Sequence, residues 1–211
     1  MIWLALFAIL LLTAESALAQ RFPALLRDFR YQSFFLAVIT FLAAWQSGSL
    51  ELYLITALIV AIKVLLIPHL FMVLIKRIKS SDHLGLFINP QLSLLLTIAL
   101  GWIAWSFSSQ VINSPAYLDR LILGVAFFTM LVGVWLMVSR IKALAQVIGL
   151  LMMENGVFLA ATVIPGGTPF FIEIAVFFDI LVSAMILGLF IYRINTIFTH
   201  IDISKLSRLR G

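Results

Sequence analysis

Long apolar runs separated by short polar breaks make up most of the 211-residue chain. A membrane-spanning helix needs about 20 mostly apolar residues, and the breaks contain Pro, Gly, Ser and Asn, which are typical of turns. The period-two alternation of a transmembrane β-strand is absent. The pattern therefore predicts an all-α, polytopic integral membrane protein with about seven transmembrane helices, which we place at 2–20, 31–49, 52–75, 86–108, 118–139, 142–164 and 170–192.

The composition agrees with the pattern and excludes several classes of protein. Hydrophobic residues make up 64% of the chain and charged residues 11%, whereas a soluble domain carries about 25% charged residues. This balance excludes a soluble enzyme, a disordered chain and a nucleic-acid binder. The chain has no Cys and only three scattered His, so we expect neither a metal site nor a cofactor in this chain.

The first apolar run has two interpretations. Ser-Ala-Leu-Ala, residues 16–19, precedes Gln20 and resembles the small-residue cleavage site of a signal peptide. However, no Lys or Arg precedes the run, and Glu15 lies inside it, which is unusual for a signal peptide. We therefore interpret 2–20 as a transmembrane helix.

The basic residues predict the orientation of the helices. With seven spans, 12 of the 14 Lys and Arg residues fall in the odd-numbered loops or the C-terminal tail, and these are Arg21, Arg27, Arg30, Lys76, Arg77, Lys79, Arg140, Lys142, Arg193, Lys205, Arg208 and Arg210. Because basic loops stay on the cytoplasmic side, we expect the N-terminus outside and the C-terminus in the cytoplasm. The localisation that follows is a multi-pass protein of the cell (inner) membrane, and the net charge of +5 is mainly a property of this topology.

The positions of three charged residues are not explained by the positive-inside rule. Lys63, Glu154 and Asp179 each lie about 14–17 Å below the outer end of their predicted spans, near the middle of a core about 30 Å thick. A Lys or Asp at the centre of a membrane helix costs about 2.5–3.5 kcal/mol. Either the three residues pair with one another and lock the bundle, or they form a proton or ion pathway.

The residue types suit a proton relay. Burial disfavours the charged form of a carboxyl or amine group, and interacting groups at one depth titrate as a set. Pro68 removes a helical hydrogen bond near Lys63 and makes room for water or a kink. His69, on the cytoplasmic side of Lys63, and Glu173, in the first outer turn of the last span, are possible access groups.

The last three spans resemble a known family. The segment 147–156, VIGLLMMENG, is similar to a stretch of the K subunit of respiratory complex I, and Arg140 with Lys142 stands where that subunit has a basic pair. Asp179 matches the position of the family's second membrane glutamate, and the C-terminal tail is also similar. The first membrane glutamate of the family falls on Leu151, whereas Glu154 lies three residues later, on the same helix face.

The whole chain resembles hydrogenase-4 component E, a longer relative of the K subunit found in group 4 membrane-bound nickel–iron hydrogenases and formate hydrogenlyase-type complexes. On this resemblance, residues 1–115 are a four-helix membrane extension, and 116–211 are the K-like three-helix unit with its tail. The resemblance implies a non-catalytic subunit without a cofactor, beside an antiporter-like membrane subunit. Nickel–iron and iron–sulfur centres would belong to a peripheral hydrogenase or dehydrogenase module. The alternatives are a purely structural scaffold or an independent small-solute transporter.

Overall fold

Helices form every regular element of the described part of the chain. The computed structural model describes residues 1–78, 90–111 and 117–163, together with the helical positions Val182 and Gly188. The elements are α1 (Ile2–Leu18), α2 (Phe22–Ser47), α3 (Leu50–Ile59), a π-helical segment (Val60–Leu66), α4 (Ile67–Ile78), α5 (Pro90–Val111), α6 (Tyr117–Ser139) and α7 (Ala143–Ala161). The all-α prediction is confirmed for these residues.

Four of the described helices are long and apolar enough to cross a membrane: Leu50–Ile75, Gln91–Val111, Tyr117–Ser139 and Ala143–Ala161. The other two helices fall short for different reasons. α1 is apolar but has 17 residues, and α2 has 26 residues but begins with a charged first third. The predicted span 170–192 lies outside the described residues, apart from Val182 and Gly188. Four described helices therefore support the prediction of a membrane protein.

The start of α2 differs from the sequence prediction. We expected a loop at residues 21–23 and a span from residue 31, but the helix begins at Phe22 and includes Pro23 in its first turn. Proline is tolerated there because the first N–H groups of a helix have no intrahelical partner. The other end agrees with the prediction, since Gly48 ends α2 with a φ of 65° in the left-handed region.

Residues 50–78 form one uninterrupted helix whose hydrogen bonding changes in the middle. In the π-helical segment the N–H groups bond five residues back, and the N–H of Ile67 donates to the carbonyl of Ile62. A proline ring clashes with the carbonyl four residues before it. The wider π turn precedes Pro68 directly, so the disturbance predicted at Pro68 is accommodated by a local change of helix type.

Two apolar clusters form the interior. The first surrounds the end of α1 and the start of α2 and includes Phe29, Ile67, Leu136 and Leu151. The second surrounds the start of α1 and includes Leu6, Leu36, Ile59, Leu123 and Phe158. Each cluster takes residues from both predicted segments, 1–115 and 116–211. The division of the chain into those two segments stays a prediction.

Helices α6 and α7 approach each other closely because glycines face the opposite backbone. A Cβ atom built on Gly133 would lie 2.5 Å from the backbone nitrogen of Met153 and 2.6 Å from the carbonyl oxygen of Gly149. A Cβ on Gly156 would lie 2.7 Å from the carbonyl oxygen of Ala126. Small residues that allow such contact are typical of membrane helix interfaces. This packing fixes the position of α7, and with it that of Glu154.

Gly133→Ala is expected to lower the midpoint of thermal unfolding by about 5 °C. Overpacking costs about 1–3 kcal/mol, and about 2–4 °C is lost per kcal/mol in a chain of this size. The matched control is Gly101→Ala, because a Cβ there would only make ordinary contact, at 3.5 Å from Cε2 of Phe128. Scanning fluorimetry of both purified variants measures the difference. Equal midpoints would show that the α6–α7 contact is looser than the structure indicates.

Candidate functional site

A layer of polar side chains separates the two apolar clusters. We name it the central polar layer; its members are Thr13, Gln32, Ser33, Lys63, Thr129, Glu154 and Asn155, all of them buried. In each helix the polar position falls between members of the two clusters: Lys63, for example, lies between Ile59 and Ile67, and Glu154 between Met152 and Phe158. Five segments of the chain therefore place a polar group at the same level of the bundle.

Lys63 and Glu154 form a buried ion pair within this layer. The Lys63 Nζ atom lies 3.0 Å from the Glu154 Oε1 atom, with 0% and 5% of the two side chains exposed. Nζ also lies 5.9 Å from the ring centroid of Phe158, a distance that permits a cation–π interaction. The sequence predicted that these two residues share one depth, and the structure brings them into direct contact.

Asn155 connects the ion pair to α2. Its Oδ1 atom accepts a hydrogen bond from Lys63 Nζ at 3.2 Å. Its Nδ2 atom donates to Gln32 Oε1 at 3.2 Å and to Ser33 Oγ at 2.9 Å. One amide side chain thus orients the lysine and ties α7 to α2. Neither Asn155 nor its partners in α2 were singled out by the sequence analysis as site residues.

Two threonines end the chain of hydrogen bonds. Gln32 Nε2 donates to Thr13 Oγ1 at 2.7 Å, and the Thr13 and Thr129 hydroxyl oxygens lie 3.3 Å apart. Each hydroxyl also donates to the carbonyl four residues earlier in its own helix, Ile9 for Thr13 and Val125 for Thr129. The layer therefore continues from α7 through α2 to α1 and α6.

The members of the central polar layer differ in whether they can exchange a proton. A carboxylate and an amine can exchange a proton, since each has a charged and a neutral form. An amide side chain offers fixed donors and acceptors and carries no ionisable proton in this range. The proton-exchanging part is therefore Lys63 with Glu154, whereas Asn155 and Gln32 hold the pair in place. Among the described residues no three His, Asp or Glu side chains cluster to hold a metal ion.

The π-helical segment coincides with Lys63. Lys63 is the fourth of its seven residues, Val60–Leu66. Single π turns inside α-helices occur frequently at functional sites, because the extra residue changes the direction of the side chains around it. Here the widened turn presents Lys63 and Val64 to the interior, while Ala61 and Leu65 remain exposed.

The remaining predicted site residues are placed differently. His69 is exposed and lines a cavity of about 440 Å³ with Arg30 and Met72. It lies six residues beyond Lys63, outside the central polar layer. Asp179 and Glu173 lie outside the described residues, so their part in the relay stays a prediction.

Leu151 and Glu154, which the sequence analysis compared, have different surroundings in the structure. Leu151 is fully buried in the first apolar cluster, where it contacts other apolar side chains. Glu154 lies one turn further along α7 and enters the central polar layer, where Lys63 is available as its cation. In this chain the carboxylate therefore occupies the position that has a polar environment.

Arg140 is the largest fully buried side chain of the described residues, although the sequence analysis treated it as a loop charge. Its Nη2 atom donates to the carbonyl oxygens of Ala17 at 3.0 Å and Ser16 at 3.4 Å, at the C-terminal end of α1. These carbonyls lie in the last turn of α1 and carry the negative end of the helix dipole, and that of Ser16 also accepts the backbone N–H of Ala19. Burial lowers the pKa of Arg140 to about 10. The arginine joins the end of α1 to the turn between α6 and α7.

A second charge cluster lies near the same end of α1. Arg27 forms ion pairs with Glu15 and with Asp28, and its Nη2 atom lies 2.9 Å from the Asp28 Oδ1 atom. Arg27 and Glu15 are each about half exposed, whereas Asp28 is fully buried. The sequence analysis did not assign these groups a role. The cluster links α1 to α2 at the level where the apolar stretch of α2 has not yet begun.

Comparison with known proteins finds a relative without an assigned activity. A curated protein of Mycobacterium tuberculosis, described as Uncharacterized protein Rv0085, is 26% identical over 188 residues, which cover 89% of this chain and 86% of that protein. No protein-family model matches the chain, and no solved structure matches it. The similarity therefore extends over nearly the whole chain but leaves the function to be argued from the site.

Proposed function

We propose that the chain is a non-catalytic subunit in the membrane arm of a complex I-like respiratory or group 4 hydrogenase assembly. In this role it contributes a proton relay at the membrane midplane and couples redox chemistry in other subunits to proton translocation. The observation that supports the proposal best is the ion pair of Lys63 and Glu154, buried at 3.0 Å between two apolar clusters. Apolar residues of similar volume stabilise a fold as well as such a pair does, or better, which favours a functional reason for the charges.

The relay works by exchange of one proton between the paired groups. A proton that reaches the Glu154 carboxylate neutralises it and removes the counterion of Lys63. The Lys63 ammonium then keeps the Asn155 side-chain oxygen and the Phe158 ring among its described partners, and it releases its proton to the next group. Asp179 is the proposed next group, with His69 and Glu173 as access groups. Because the charges are coupled, they titrate as a set.

The proposed topology has seven spans, with the N-terminus outside and the C-terminus in the cytoplasm. The proposed location is the inner membrane of the cell. The direction of the described helices supports it. Arg21, Arg27 and Arg30 flank the first apolar cluster, as do Arg140 and Lys142, whereas Arg120 lies at the end of the second cluster. The basic residues thus gather at one end of the bundle, as the positive-inside rule requires of a cytoplasmic face.

The proposed partners follow from the resemblance to hydrogenase-4 component E. They are an antiporter-like membrane subunit, other membrane-arm subunits and a peripheral hydrogenase or dehydrogenase module, which would hold the nickel–iron and iron–sulfur centres. Affinity purification of the tagged chain from its native membrane, in mild detergent, tests this part. We expect subunits that bind nickel–iron or iron–sulfur centres to co-purify. Recovery of the chain without any redox subunit would contradict the assembly.

Glu154→Gln is expected to abolish most of the proton translocation while the assembly and its redox turnover persist. The amide keeps the size and hydrogen bonding of the side chain but has no proton to exchange in this range. The measurement is proton uptake by inverted membrane vesicles, divided by turnover of the electron donor. The matched control is Glu51→Gln, an exposed residue in the first turn of α3, which should leave that ratio unchanged. Equal ratios in Glu154→Gln and the wild type would reject the relay.

The second candidate function is a structural scaffold that packs other subunits. The observation that favours it is the fixed set of hydrogen bonds from Asn155 to Lys63, Gln32 and Ser33, which holds three helices at one level. A scaffold predicts that any complex assembled with Glu154→Gln pumps at the wild-type ratio. The vesicle experiment therefore separates the two functions.

A further inference from the structure

A groove between α2 and the π–α4 part of the long helix is open to the surroundings of the bundle. It has three adjoining sections of about 310, 440 and 350 Å³. Arg30 lines all three sections, while Pro68 and Met72 are shared by the first two and Val64 by the last two. The sections are therefore parts of one surface groove with Arg30 at its centre.

The charge of the groove is uncompensated. Arg30 is exposed and forms no hydrogen bond or ion pair among the described residues, whereas Arg27, one turn earlier, is paired with Glu15 and Asp28. No acidic residue of the described part of the chain lines any of the three sections. An arginine in such a setting binds an anion, and its planar fork fits a phosphate in particular.

The position of the groove selects the kind of anion. Arg30 and Tyr31 stand directly before the apolar stretch of α2, which runs from Phe34 towards Ser47. Arg30 lies two residues before Gln32 of the central polar layer, a rise of about 3 Å towards the N-terminal end of α2, where the basic residues gather. Helical side chains lean towards the N-terminus of their helix, and a long arginine side chain can bury its stem along apolar surface while its charged head reaches the polar boundary. Tyr31 beside it is half exposed. Below it the groove is lined by apolar side chains, such as Phe34 and Leu65.

We propose that this groove, the Arg30 groove, binds an anionic phospholipid, with the phosphate at Arg30 and an acyl chain along the apolar part. Basic pockets between transmembrane helices are known lipid headgroup sites in general. The groove combines a cation on a long side chain that reaches towards the headgroups with an apolar lining, which matches the two ends of one lipid molecule. Neither Lys63 nor Glu154 lines the groove, although His69, a proposed access group of the relay, lines its second section.

Native mass spectrometry tests the proposal. The full chain is reconstituted in nanodiscs of equal parts phosphatidylglycerol and phosphatidylcholine, and the lipids retained after detergent extraction are counted. We expect the wild type to retain phosphatidylglycerol in preference, and Arg30→Gln to reduce that retention about fivefold, as one basic contact at a membrane surface implies. Met72→Trp, which fills the groove without changing the charge, should reduce retention of the same lipid.

Arg21→Gln is the matched control, because Arg21 is exposed at the start of the same helix but lines none of the three sections. Its retention should equal that of the wild type. Equal losses in Arg21→Gln and Arg30→Gln would show attraction to the surface charge in general and overturn the site. Unchanged lipid retention in Arg30→Gln would also overturn the lipid site, and a protein partner would then be the expected occupant of the groove. Unfolding midpoints of all variants exclude misfolding as the cause, since Arg30 has no partner to lose among the described residues.

Discussion

Lys63→Met is expected to lower the free energy of unfolding by about 3–5 kcal/mol, because it removes the ammonium that lies 3.0 Å from the buried Glu154 carboxylate. Glu154→Leu should be similarly destabilising, since it removes that carboxylate from the buried Lys63 ammonium. Each of these losses is a large share of the free energy of unfolding of a typical domain, which is about 5–15 kcal/mol. Unfolding by denaturant in detergent micelles measures both single variants.

The double variant Lys63→Met with Glu154→Leu is expected to recover most of the loss. Replacing a buried ion pair by apolar residues of similar volume is often neutral or stabilising. The exposed pair of Arg27 and Glu15 is the internal control: Glu15→Gln should cost less than about 1 kcal/mol, because solvent screens that interaction. A double variant as unstable as the single ones would contradict a direct interaction between Lys63 and Glu154.

The double variant also distinguishes the two candidate functions. If it is stable and assembles with its partners but does not support proton translocation, the charges serve a relay and their structural contribution is replaceable. If it assembles and supports translocation at the wild-type ratio, the pair is structural and the scaffold is the better description. Both outcomes depend on the same two side chains, so the comparison needs no other change in the chain.

Asn155→Leu is expected to destabilise the fold by about 2–4 kcal/mol. Leucine has nearly the same volume, but the substitution removes the acceptor of Lys63 and the donor to Gln32 and Ser33. Buried polar groups that lose a partner cost about 1–3 kcal/mol each, and part of this is offset because such bonds are weaker between membrane helices. The same unfolding assay measures the change.

Thr13→Val is the matched control for Asn155→Leu. It removes one hydroxyl from the central polar layer without changing the volume, and it affects the hydrogen bond from Gln32, the hydrogen bond to the Ile9 carbonyl of its own helix and the contact with Thr129. Its cost should be about 1 kcal/mol. Costs of the same size in both variants would mean that Asn155 is not the centre of the hydrogen-bond network.

The depth of the charged residues could be predicted from the sequence, because a constant helical rise converts position into depth. Counting from the span ends placed Lys63 and Glu154 at one level, and the structure joins them by an ion pair. The neutral members of the layer could not be found in this way. Gln32 and Ser33 stand at the edge of an apolar run, where a polar residue is ordinary, and their contact with Asn155 depends on how α2 and α7 rotate.

The burial of Arg140 could not be predicted from the sequence, for a different reason. In the sequence it is a basic residue in a short loop, which is where the positive-inside rule places such residues. Its burial depends on α1, more than 120 residues earlier in the chain, whose last carbonyls accept its N–H groups. A contact with α1 also accompanies the early start of α2: Arg27 lies within the helix and pairs with its neighbour Asp28 and with Glu15 of α1, although the polarity of Arg27 and Asp28 ends the apolar run.

The hydrogen bonds from Arg140 to the end of α1 also affect how accessible that end is to a protease. Residues 16–19 have the small side chains of a signal-peptide cleavage site, but Ala17 is fully buried, Ala19 is 8% exposed, and the carbonyl of Ala17 accepts hydrogen bonds from both Arg140 and Ser93. Proteases cleave exposed, flexible segments. Any cleavage after Ala19 must therefore happen before α6 and α7 have packed against α1, and the folded bundle protects the bond thereafter.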